Sequence, residues 1–180
     1  MEIEELEIEG VYLIKPKVFE DDRGHFFESY NQYIFNQKGL DIKFVQDNQS
    51  LSQKGVLRGL HFQKPPHAQG KLIRVIKGKV LDIAVDIRKK SPTYGQHIAI
   101  ELSEYNKHMF YIPEGFAHGF LTLEDHTIFS YKCTDFFNKE SEGSLFWNDF
   151  DLDINWGIDD PILSDKDKQA PYFKSLISPF

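Results

Sequence analysis

Val56-Leu-Arg-Gly-Leu-His-Phe-Gln63 runs on through Lys64-Pro-Pro-His-Ala-Gln-Gly-Lys71 to the apolar Leu72-Ile-Arg-Val-Ile76 and Gly78, and its reading decides the fold. Short apolar runs broken by Pro and Gly suit strands, not helices. Arg58, His61 and Lys71 crowd together, which a stretch serving only to fill a core would not need. They read as the floor of a site for an anionic small molecule. Arg58 and His61 differ in parity, so a regular strand would send them to opposite faces; Gly59 between them is a candidate bulge that re-aims one. Working outward, Leu81, Ile83, Val85 and Ile87 share one face of a strand, and Asp82, Ala84, Asp86 and Arg88 the other. Ile98, Ile100 and Leu102 are expected inward, and Phe129, Tyr131 and Cys133 share a face. Further strands are expected at 10–19, His25 to Tyr30 and Phe44 to Asn48, with a short helix capped by Asn31 and ending near Gly39. The pattern is an all-β sandwich or barrel, closing in a loop-rich C-terminal tail with at most a short helix.

The chain has 180 residues, enough for one domain with a sizeable core, and neither repeats nor linkers divide residues 1–180. A formal charge of −7 argues against a general nucleic-acid or acidic-membrane binder, while leaving room for a locally positive pocket. Cys133 is the sole cysteine, so no intrachain disulfide forms and a reducing compartment is expected. Met1-Glu-Ile-Glu-Glu-Leu-Glu7 has neither the basic nor the apolar region of a secretion signal. No apolar run approaches the ~20 residues that span a bilayer. The expectation is a soluble, cytoplasmic protein.

His61 is the candidate base, because imidazole alone exchanges a proton near neutrality without strong tuning. It needs a carboxylate to set its tautomer, and the local sequence does not identify one. Lys71 reads either as a solvated strand-end lysine or as an inward cation for an oxyanion. His118 is a buried structural histidine or a second donor to that oxyanion. Tyr131 is core or a proton donor, and Cys133 is packing. His67, Lys71 and Gly78, with His118 after Pro113-Glu-Gly115, resemble the two motifs of the cupin superfamily. Where those motifs place a metal-binding glutamate stands Lys71, and Pro65 holds the first histidine's slot. An ammonium there repels a cation, so a cupin barrel that uses no metal is expected.

Further runs sharpen the resemblance: Asp22-Arg-Gly24 with Phe27 and Glu28, Gln46-Asp-Asn48, Leu57 to Gln63, Asp86-Ile-Arg88, Pro113 to Phe120, Tyr131-Lys-Cys-Thr134, Trp147-Asn-Asp149 and Leu163 to Asp167. In this order, over nearly the whole chain, they resemble the dTDP-4-dehydrorhamnose 3,5-epimerases. The resemblance implies a homodimeric jelly-roll enzyme with no metal or organic cofactor, acting on a dTDP-linked 4-keto-6-deoxyhexose. It implies His61 as base, Asp167 as its orienting carboxylate, Lys71 as enolate stabiliser and Tyr131 as proton donor. Arg58, His118, Glu142 and Lys166 would line the substrate site, and Gln46, Asp47 and Asn48 would bind the nucleotide. Arg23 and Glu28 would belong to an arm reaching the partner's site. Where the family commonly carries a tyrosine pair, this chain has Phe136-Phe137; Phe137 keeps the aromatic face expected against thymine and loses the hydroxyl. Two alternatives stay open: an enzyme inverting C3 only, and a catalytically silent nucleotide-sugar binding module.

Overall fold

Strands with an apolar face must bury it, and where helices are scarce two facing sheets do so. The computed structural model describes residues 1–180. One sheet has six strands in the order β1 (Glu2–Glu5), β2 (Tyr12–Lys15), β10 (Met109–Ile112), β7 (Lys71–Lys77), β12 (Thr127–Cys133) and β5 (Gln46–Ser52). The other has five, in the order β13 (Glu142–Ser144), β6 (Leu57–Gln63), β11 (Phe116–Thr122), β8 (Lys79–Asp86) and β9 (His97–Ser103). Pairing is antiparallel between neighbours mostly distant in sequence, as in a jelly-roll barrel of the cupin type. A hairpin of β3 (Phe19–Asp21) and β4 (Gly24–Phe26) forms a small sheet of its own, with Phe19 and Phe26 exposed.

Three apolar layers follow from the alternation. Ile73, Val75, Ala84, Phe110, Phe120 and Phe129 meet inside the barrel, with Ile98 and Leu102 from β9 as expected. Ile83, Val85 and Ile87 turn outward instead, against Leu145, Trp147 and Trp156 of the tail. The tail is therefore a structural lid on the five-stranded sheet, and Asp82 and Ala84 of the opposite parity point into the barrel. Helix α1 (Gln32–Gln37), capped by Asn31 as expected, packs Phe35 over Leu72 and Met109 on the back of the six-stranded sheet.

Three segments differ from expectation. β1 was masked in the sequence by its acidic residues; it is an edge strand whose pairing to β2 is stabilised in part by Lys15 and Glu4. The segment from His25 to Tyr30 leaves its strand at Phe26, because only β3 is there to pair with it. The strand expected at Phe44 begins at Gln46 and runs to Ser52, its length set by pairing with β12.

Candidate active site

The parity conflict on β6 is resolved by a bulge. His61 lies opposite His118 and Arg58 opposite Phe120, so three steps on β6 face two on β11. Gly59 takes the extra step at φ +133°, and a Cβ there would come within 2.4 Å of the Gly119 Cα, so only glycine lets the strands approach. Leu57, Leu60 and Phe62 then pack under the tail, while Arg58, His61 and Gln63 face inward.

Inside the barrel a cavity of about 590 Å³ is lined by Arg58, His61, Lys71, His118, Tyr131 and Asp167 among others. Lys71 opens β7 on the inward parity, opposite Cys133, and its ammonium lies 5.8 Å from the Tyr131 ring centre. The solvated-lysine alternative is thus excluded. Phe120 and Phe129, stacked 3.9 Å apart, form the apolar floor, and His118 stacks on Phe129. A smaller cavity of about 110 Å³ adjoins it through His61, Lys71 and Tyr131, and is walled by Phe137 and Glu142.

Asp167 arrives from the far end of the chain. Leu57 N donates to Ile162 O (3.0 Å) and Ile162 N to Gly55 O (2.8 Å), stitching the tail to the start of β6. Ser164 then caps helix α2 (Asp165–Lys168), and its Oγ accepts from Asp167 N at 3.1 Å. The turn delivers the buried Asp167 carboxylate to His61 Nε2 at 2.6 Å. Burial pushes that carboxyl up, but the hydrogen bond and charge of His61, helped by the Gly59 N–H, outweigh it and hold the carboxyl below its usual range. Because Nε2 donates to Asp167, Nδ1 is the ring nitrogen left with a free lone pair.

A second pair was missed by the sequence reading. His118 Nε2 lies 2.9 Å from Asp82 Oδ1, with both side chains buried, and Asp82 Oδ2 has no hydrogen-bond partner. Burial pushes Asp82 up against the pull of His118 and Lys71, and pushes His118 down against the pull of Asp82. Asp82 alternates with apolar residues exactly as a solvent-facing aspartate would, so the sequence held no signal for it. Burial likewise pushes the Lys71 ammonium down, opposed by Cys133, Asp82 and Glu142, and pushes the Tyr131 phenol up, reinforced by Cys133.

Of the other expected residues, Gln46 and Asn48 turn inward on β5 and are hydrogen-bonded to each other (3.1 Å). Asp47 between them faces the opposite side, paired with Lys132 at 3.0 Å, so alternation keeps its side chain out of the cavity. Arg58 donates to the buried Ser52 Oγ (3.3 Å), and Glu142 pairs with Lys166 at 2.7 Å. Arg23 and Glu28 do not reach this chain's own cavity: Arg23 is paired with Asp21 at the exposed hairpin tip, and Glu28 accepts from Asn31 at 2.9 Å. No three His, Cys, Asp or Glu side chains converge as metal ligands would.

A carboxylate-oriented imidazole, a phenol and an ammonium in one cupin-type cavity define an acid–base enzyme of the isomerase class, suited to moving protons beside a carbonyl. A profile of the family described as dTDP-4-dehydrorhamnose 3,5-epimerase matches residues 5–175, and the chain belongs to that family. It is 54% identical over 166 residues to the dTDP-4-dehydrorhamnose 3,5-epimerase of Salmonella typhimurium, covering 91% of both chains. It superposes on the crystal structure of the dTDP-4-dehydrorhamnose 3,5-epimerase from Elizabethkingia anophelis with a TM-score of 0.91 at 51% identity, covering 97% of each. A Legionella pneumophila dTDP-6-deoxy-D-glucose-3,5-epimerase, solved in complex with dTDP-4-keto-L-rhamnose, superposes with a TM-score of 0.93 at 45% identity, covering 97% of this chain and 94% of that one.

Proposed function

We propose that the protein inverts C3 and C5 of dTDP-4-dehydro-6-deoxy-D-glucose to give dTDP-4-dehydro-L-rhamnose, serving dTDP-L-rhamnose biosynthesis. The observation carrying this reading is the His61–Asp167 pair opening on the same cavity as Lys71 and Tyr131. Both carbons flank the C4 ketone, so their protons are acidic only as far as the enolate is stabilised. His61 Nδ1 takes the proton from one face of the ring, and Asp167 steadies the imidazolium that results. Lys71, with His118 beside it, holds the negative charge developing on the C4 oxygen. Tyr131, whose phenol burial keeps protonated, returns a proton from the other face. No metal is needed when the cation is part of the chain, and Lys71 sits where a cupin metal would be repelled.

Arg58 is the cavity's cation for the diphosphate, and Phe137 offers its exposed ring to the thymine. Fixing the nucleotide remotely holds the sugar for reaction. The hairpin around Arg23 leaves Phe19 and Phe26 largely exposed, and in a homodimer it would carry Arg23 and Glu28 to the partner's cavity. A reducing, cytoplasmic setting suits a nucleotide-sugar substrate and a chain whose lone thiol, Cys133, is free and buried.

The test is incubation with dTDP-4-dehydro-6-deoxyglucose in deuterium oxide, followed by NMR. Deuterium is expected at both C3 and C5, and a downstream NADPH-dependent reductase is expected to yield dTDP-L-rhamnose. Label at C3 alone would overturn the double inversion, and no label at all would overturn the epimerase reading.

A further inference from the structure

Residues 135–138, which present Phe137, follow β12 but pair with no strand, so their peptide groups need partners from elsewhere. Glutamine side chains supply them. Gln69 Nε2 donates to Asp135 O at 2.7 Å. Gln63 Nε2 donates to Phe136 O at 3.2 Å and to His67 O at 2.6 Å, and Gln63 Oε1 accepts from Asn138 N at 2.8 Å. Gln46 Oε1 accepts from Phe137 N at 3.0 Å. The peptide groups on both sides of Phe137 are therefore held from both sheets at once, by β6 through Gln63 and by β5 through Gln46. Gln63 is 5% exposed and does the most, bracketing Phe137 with bonds to the residue before it and the residue after. Phe137 itself is 57% exposed, so its own packing does not fix its place.

We propose that Gln63 is a positioning residue that fixes the backbone of Phe137 and so sets the platform on which the nucleotide base stacks. A phenylalanine here lacks a hydroxyl with which to anchor its own ring, so the ring's orientation follows its backbone. This rests on the reading of Phe137 as the base platform. In the absence of Gln63's amide, the Phe136 carbonyl and the Asn138 N–H of the loop lose their partners, and so does the His67 carbonyl beside it. The loop then spends less time in the geometry that accepts a base, and the loss falls on binding of the nucleotide instead of on proton transfer.

The test uses the full chain with two competitive inhibitors: dTDP, and inorganic pyrophosphate, which has no base. Phe137→Ala is expected to raise the dTDP inhibition constant about tenfold, within the range of one base–aromatic stack. Gln63→Leu is expected to raise that constant and KM several-fold, with kcat changing far less and the pyrophosphate constant unmoved. In the double variant the two losses should not add, since both act through one ring. Gln63→Glu, which keeps the acceptor for Asn138 N and loses both donors, decides the matter if the leucine variant does not fold. If Phe137→Ala leaves dTDP binding intact, the platform reading fails and the proposal with it. If Phe137→Ala weakens dTDP while neither Gln63 variant does, or pyrophosphate weakens in parallel, the platform stands and the positioning role of Gln63 is overturned.

Discussion

His61 with Asp167 and His118 with Asp82 are both imidazole–carboxylate pairs joined through Nε2, at 2.6 and 2.9 Å in one cavity, yet burial treats them differently. The His61 side chain is 33% exposed and that of His118 8%, while both carboxylates are nearly inaccessible. In the first pair His61 holds the Asp167 carboxyl down against burial. In the second, burial wins at both ends: Asp82 is pushed up, His118 down, and one Asp82 oxygen is left without a partner. The same two residue types thus give a pair whose carboxylate is held ionised where the imidazole meets open space and a pair whose carboxylate burial disfavours as an ion where it does not. Only the first suits a group that must gain and lose a proton each turnover; the second suits a fixed dipole.

The largest effect that sharpens this contrast is on His61. His61→Asn is expected to lower kcat by about 10²–10⁴-fold, as loss of a general base does, with solvent deuterium no longer entering C3 or C5. Undiminished exchange would remove it from the base's place. Asp167→Asn keeps the shape but turns the hydrogen bond around, favouring the wrong tautomer, and is expected to cost about 10²–10⁴-fold in kcat with little change in KM. Should the equivalent change at Asp82 cost as much, the two pairs would not differ in role.

Lys71 faces both pairs, and pH separates its contribution. Burial pushes its ammonium below the ordinary lysine range, whereas burial pushes the Tyr131 phenol up, above ordinary tyrosine. The rate should therefore fall with rising pH from a point below ordinary lysine, as the ammonium is lost before the phenol. Lys71→Arg, slower at neutral pH, should carry its alkaline limb to higher pH because guanidinium stays charged. A limb that does not move would assign that titration to another group.

How the pairs could be read from sequence differs for the same reason. His61, Arg58 and Lys71 are near neighbours along the chain, and Gly59 between the first two signalled the bulge that the 2.4 Å approach to Gly119 requires. The barrel itself was legible from strands of clean alternation such as β8, since period-two patterning is local. Asp167 was reachable only through family resemblance, because its meeting with His61 depends on the tail being stitched to β6 across 106 positions. Asp82 was not legible at all. Its face of β8 looks polar in sequence, and only the covering of the opposite face by Trp147 and Trp156 reveals it as the inside. Asp47 is the reverse case: its place in a contiguous run suggested a shared role, while the alternation that brings Gln46 and Asn48 in turns its side chain outward to Lys132.

The smallest effect, and the one most specific to the contrast, is the dependence of stability on pH. Asp167 has a folded pKa below that of the unfolded chain, so its contribution is present above the ordinary carboxylate range and is lost as pH falls through its folded value. Asp82 has a folded pKa above that of the unfolded chain, so its contribution is full below the ordinary carboxylate range and is lost as pH rises through its folded value. Thermal unfolding of the asparagine variants from about pH 3 to 8 should then give deficits of opposite slope. For Asp167→Asn the deficit should be greatest near neutrality and shrink in acid. For Asp82→Asn it should be greatest in acid and shrink toward neutrality, staying near about 1 kcal/mol or less because an amide replaces a carboxyl that burial already disfavours as an ion. Parallel slopes would mean that both carboxylates ionise alike, and that the difference in burial between the two pairs does not govern where their protons sit.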